Sequence, residues 1–182
     1  MSAFVWIFFA LLVAVNAFTA SALVRNKAFA HLRAVLLAFV SFAVLFVVFA
    51  FLALPVPGLV WIFAMISQLS HNFIGYYLRF YESSKVFDRY HHAFSAFSYA
   101  LLFFFGLTAV FAAVQPKIMA AVLVFSLGVT LGVFVEMLEF IFDQRGKNGL
   151  KMQRGLKDTN FDAVFNLAGA AAAAVFAYVF YL

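Results

Sequence analysis

Cysteine is absent from the chain, which excludes structural disulfides, thiolate metal sites and a cysteine nucleophile. Charge is scarce: Asp, Glu, Lys and Arg make up 10% of 182 residues, whereas 68% are hydrophobic. So few charges cannot clothe a water-soluble globule, and long apolar stretches of this kind belong in a bilayer. Only three prolines occur, within Pro55-Val56-Pro57-Gly58 and Gln115-Pro116, where apolar runs stop. No serine-centred elbow and no glycine-rich phosphate loop is present; Ser95 and Ser98 follow a His pair without either frame. No tandem repeat, linker or soluble segment interrupts the chain, so residues 1–182 read as a single transmembrane domain.

What is present is six apolar runs: residues 3–24, 28–54, 59–80, 90–114, 118–142 and 161–182. At ~1.5 Å per residue each can cross a ~30 Å hydrocarbon core. The expected fold is therefore all-α, a polytopic membrane protein with six transmembrane helices. The first run reads as a retained helix rather than a signal peptide, because nothing basic precedes it. The 28 Phe residues need no functional explanation, since large apolar side chains suit lipid-facing and interhelical surfaces.

Net charge is +5, and its placement points to membrane orientation rather than to nucleic acid. Eleven of the twelve basic residues fall in or beside the first, third and fifth connections, and only Lys117 in the others. The positive-inside rule makes that face cytoplasmic and both termini external. The expected location is the cytoplasmic membrane.

The rare polar residues gather on the same side. Asp88, His91 and His92 open the fourth run; Glu136, Glu139 and Asp143 close the fifth; Asp158, Asp162 and Asn166 open the sixth; His71 lies deeper in the third. Spacings of three and four put each set on one helix face. Ionisable groups inside spanning helices mark pathways, metals or catalytic sites. Two readings stand. In the first, Asp88, His92, Glu136, Glu139, Asp158 and Asp162 ligate a divalent metal ion, as carboxylates and imidazoles do in bundle cores. In the second they form an ionic network, with Asp88 and Asp158 capping helices and Asp143 on a solvated face. Like charges three or four residues apart repel unless a cation lies between them or some are protonated. Of the adjacent histidines, the spacing from Asp88 favours His92. His31, beside Arg33, is given no role. Gly128 and Gly132, and Gly169 with residues 170–174, provide small-residue packing faces.

Four stretches, taken in order, resemble a known family. They are Leu69-Ser70-His71-Asn72-Phe73-Ile74-Gly75-Tyr76, Phe87-Asp88-Arg89-Tyr90-His91-His92, Glu136-Met-Leu-Glu139-Phe140, and Gln153-Arg-Gly155-Leu-Lys-Asp158-Thr159-Asn-Phe-Asp162. Together they resemble the uncharacterised YjdF-like membrane proteins, with Phe140 where Trp is common. Asn166 and Gly169 add a more distant similarity to the VanZ-like proteins. The resemblance implies a polytopic cytoplasmic-membrane protein and supplies no activity; the VanZ-like side hints at lipid or envelope chemistry.

Two functional classes follow. One is a metal-dependent enzyme acting on a lipid or polyprenyl headgroup, an amphiphilic phosphate-bearing substrate. Glu136 and Glu139 would be its ligands or general base, and His71, Arg89, Lys151 and Arg154 would contact substrate, with Lys157 adding to the phosphate-attracting charge. The other is a small ion- or proton-coupled transporter. A structural or partner-binding subunit is the plainer alternative.

Overall fold

The computed structural model describes residues 1–84, 86–112, 116–145 and 151–181. Lys85, Gln115 and Lys147, used above, lie outside them, as does the side chain of Arg145. Among the described residues the chain is all-α, without strands. The helices are α1 (Ala3–Arg25), α2 (Phe29–Phe51), α3 (Gly58–Leu69), the short α4 (Phe80–Ser83), α5 (Phe87–Val110), α6 (Lys117–Arg145) and α7 (Leu156–Phe180). Five of them, α1, α2, α5, α6 and α7, are long and apolar enough to cross a membrane.

The third run differs from a plain span. After 12 residues α3 continues into eight residues of π-helix, Ser70–Tyr77. There Leu78 N–H donates to the Phe73 carbonyl five residues back, at 2.9 Å. Arg79 then turns left-handed (φ 61°) and closes the run. The last run begins earlier than expected, at Leu156, so Asp158 and Asp162 are both helical. Gly155 starts that helix at φ 115°, a backbone conformation that side chains disfavour.

The helices group into two compact units, Met1–Asp88 and Arg89–Leu182. In the first, α1 buries Val5, Leu12, Asn16, Thr19 and Leu23, a stripe at helical spacing. Its neighbours on the opposite face, such as Phe4, Ile7 and Leu11, are exposed, as lipid contact requires. Phe46 of α2 anchors the packing, stacked on Phe9 (centroids 3.9 Å) and edge-on to Trp61 (4.9 Å). A polar layer lies further along. Asn72 Nδ2 donates to Asn16 Oδ1 (2.6 Å) and the Val35 carbonyl (3.2 Å), tying the π-helix to α1 and α2.

The second unit packs α5, α6 and α7 through small residues. Where hydrophobic force is absent between helices, close van der Waals approach must supply association. A Cβ on Gly128 would lie 2.6 Å from Ala170 Cβ and 3.2 Å from Ala100 Cβ. One on Gly132 would lie 2.7 Å from Asn166 Cγ, and one on Gly169 would overlap the Ala93 carbonyl. α6 and α7 run antiparallel, as Lys117 over the Tyr178 ring and Gly128 against Ala170 show. The same register sets Glu136 level with Asp162.

Candidate functional site

The second unit brings three of the expected ligands together. His92 Nε2 lies 3.8 Å from Glu136 Oε1 and 3.9 Å from Glu139 Oε1. One donor atom from each of the three falls within 4.8 Å of the others. Ligands at 2.0–2.2 Å from a shared ion lie at most ~4.4 Å apart, so both measured separations fit a common ion. An Asp162 oxygen and a His92 ring nitrogen are also within 4.8 Å. His92, Glu136 and Asp162 are buried and Glu139 is half-buried.

Each position follows from helix packing. Glu136 and Glu139 share a face of α6 at i, i+3. Gly169 lets α7 approach Ala93, the residue after His92, and Gly128 lets α6 approach Ala100 on the same helix as His92. His91, its neighbour, has Ser95 Oγ 3.2 Å from its Nε2. Asp88, the last residue of the first unit, lies in the first turn of α5, four residues before His92.

The segment after residue 150 covers this layer. Gln153 Nε2 donates to both the Glu136 carbonyl and Oε2, each at 3.1 Å. Asp143 accepts from the Met152 and Gln153 amides, at 2.9 Å each, and so fixes that segment to α6. Asp158 turns back onto the Arg154 amide (3.3 Å) and stands 3.9 Å from its guanidinium. Asp158 is a first-turn carboxylate of α7, favourable beside the helix N-terminus, that bonds the residue before the N-cap; it is not in the His92–Glu136–Glu139 group.

The remaining expected contacts are dispersed. Arg89 lays its guanidinium over Phe161, 4.1 Å from the ring centroid. Lys151 is exposed at the rim of a cleft between α6 and α7, of about 1250 Å³, that Glu136, Gln153 and Asn166 also line. His71 belongs to the first unit, where its Nδ1 is 2.7 Å from the Tyr81 hydroxyl. Beside it stands a pair that sequence reasoning missed, His31 Nε2 and Glu82 Oε1 at 2.6 Å. The available signal was topological, because residues 31 and 82 flank connections assigned to one membrane face. Gln153 entered only as part of a motif, and its bond to Glu136 has no periodic signature.

The long apolar helices and the buried His–carboxylate layer define a polytopic α-helical membrane protein with ionisable groups inside its spans. Residues 4–181 match the family described as "Predicted membrane protein (DUF2238)", and the chain belongs to that family. It is also similar to an uncharacterized protein of Thermotoga maritima, 32% identical over 103 residues, covering 57% of this chain and 53% of the relative. The chain thus spans about half the length of that relative. No solved structure matches.

Proposed function

We propose that the chain is a metal-dependent membrane enzyme acting on the phosphate-bearing head of a lipid or polyprenyl amphiphile. The observation that carries this reading is the convergence of His92, Glu136 and Glu139, beside a cleft that joins apolar walls to polar residues such as Lys151 and Gln153. Two carboxylates one turn apart in a buried layer repel each other, and a divalent cation converts that repulsion into ligation. Nitrogen and oxygen donors of this kind suit Mg, Mn, Fe or Zn. The ion would polarise a phosphate oxygen or activate water. Gln153 holds Glu136 in place by its hydrogen bond, and Lys151 at the rim favours an anionic head.

Metal analysis and thermal unfolding of the detergent-solubilised protein test this. A bound ion selective for the folded state adds about 2.7 kcal/mol at a hundredfold excess over its Kd, so chelator should lower Tm and Glu139→Gln should abolish that sensitivity. An unchanged Tm with no bound metal leaves the ion-coupled transporter or an ionic network as the better account.

We further propose that the protein resides in the cytoplasmic membrane with both termini external, α3 and its π-helical continuation making a sixth crossing beside the five long apolar helices, as the one-sided distribution of Lys and Arg supports. Single cysteines at positions 117 and 151 should label from opposite sides; labelling from the same side would overturn the topology.

A further inference from the structure

A buried amide is normally hydrogen-bonded, and an unmade bond at such a group costs ~1–3 kcal/mol. Asn166 on α7 departs from this. It is only 5% exposed, and its Nδ2 has no hydrogen-bond partner among the described residues. Nδ2 packs against the backbone of Gly132, where a Cβ would lie 2.8 Å from it, so a half-turn of the amide is what presents it to the cleft. A buried donor without a protein acceptor gains a hydrogen bond by turning toward an acceptor that enters the cleft.

The surroundings narrow what arrives. Asn166 lines the α6/α7 cleft, with Glu136 and Gln153 close by. Asp143, Gln144, Lys151 and Thr159 add to its polar lining. Its apolar walls include Val133, Met137 and Phe140 of α6 and Val164 and Leu167 of α7, all of them exposed. In a spanning helix pair such exposed apolar residues face acyl chains. The volume of about 1250 Å³ exceeds the ~300–1,000 Å³ of ordinary small-molecule pockets. The cleft therefore pairs polar side chains with exposed apolar walls.

We infer that the α6/α7 cleft receives one hydrocarbon chain of a phosphate-bearing membrane amphiphile, and that Asn166 Nδ2 donates to an oxygen of its head. This rests on the headgroup reading of the neighbouring His92–Glu136–Glu139 layer. Free phosphate offers the same acceptor oxygens and makes no use of the apolar walls, so the two sources separate experimentally.

The probes are dipalmitoyl phosphatidic acid, dipalmitoyl glycerol and inorganic phosphate, each titrated into the full-length detergent-solubilised protein and followed by native mass spectrometry and Tm. Phosphatidic acid should bind and raise Tm, dipalmitoyl glycerol should bind more weakly, and phosphate alone should do nothing. Asn166→Leu should weaken phosphatidic acid binding about tenfold, the loss of one buried hydrogen bond. Leu167→Trp, which fills the cleft from an exposed position and leaves the amide intact, should weaken it at least as much. Equal stabilisation by phosphate alone, or equal binding of dipalmitoyl glycerol, overturns the inference. So does wild-type affinity in both variants. Chelator titration of the same samples separates the two readings. Chelator sensitivity with unaltered lipid affinity in the variants sinks the cleft alone; lost lipid affinity without chelator sensitivity sinks the metal alone.

Discussion

Replacing Gly169 with alanine sets two physical effects against each other, and the sign of the result decides between them. Gly169 lies inside α7, where alanine is ordinarily favoured over glycine by ~0.5–1 kcal/mol. The added methyl, however, would overlap the Ala93 carbonyl and lie 2.7 Å from its carbon and 2.9 Å from Ala93 Cα. Carbon atoms settle at about 3.5–4.0 Å, so the shortfall approaches an ångström. The obstacle is backbone on another helix, and no rotamer change relieves it. α5 and α7 must separate, at an overpacking cost of ~1–3 kcal/mol with the upper end expected here. The net loss is then about 2 kcal/mol, or a fall in Tm of roughly 4–8 °C for a chain of this size. Ala172→Gly, at an exposed position on the same helix, should lose only the ~1 kcal/mol of propensity. Thermal unfolding of both variants in one detergent provides the comparison. The separation should also draw His92 away from Asp162, so the Gly169 variant should bind metal less tightly. A raised Tm for Gly169→Ala would refute the tight α5–α7 packing and the convergence built on it.

Three further outcomes are expected. A double-mutant cycle on Asn16 and Asn72, which share a 2.6 Å bond, should give a coupling of about 1 kcal/mol, near the upper range for interhelical bonds in membranes; zero coupling would show that the pair does not hold the π-helix to α1. Asp143→Ala should speed amide exchange at Met152 and Gln153 about tenfold or more, because both amides donate to that carboxylate, while amides within α6 keep their rate; unchanged exchange would deny the clamp. Glu82→Ala should loosen α4 from His31 and raise protease sensitivity near residues 80–84 without altering metal content; a loss of metal would tie the two sites together.

Hydropathy revealed the helices wherever an apolar run was long and unbroken. It missed the π-helical end of the third run because i→i+5 bonding leaves no trace in residue type: Ser70–Tyr77 reads as ordinary helix up to the left-handed Arg79. It also missed the first turn of α7, since residues 156–160 are mostly polar and form helix through the bond from Arg154 N–H to Asp158 and the turn at Gly155. At the site, spacing alone set Glu136, Glu139 and His92 on usable faces, and close glycine contacts completed the convergence. Partners that cross between elements, such as Gln153 with Glu136 or His31 with Glu82, have no periodicity to read.

The length of α6 couples this chemistry to the thickness of the bilayer. At 29 residues the helix is ~43 Å long, against a hydrocarbon core of ~30 Å. Counted from Lys117 at one boundary, an upright α6 reaches Glu136 after ~29 Å and Glu139 after ~33 Å. With Lys117 at one hydrocarbon edge, the other would fall between the two carboxylates. A membrane thicker by a few ångströms would draw both beneath the headgroups, and a thinner one would leave both in the interfacial water. Tilt offers the helix a way to adjust, but α5 and α7, locked to it through glycine, would have to tilt with it. Bilayer composition would thus set how readily ions and lipid heads reach the carboxylates, before any change in the protein itself.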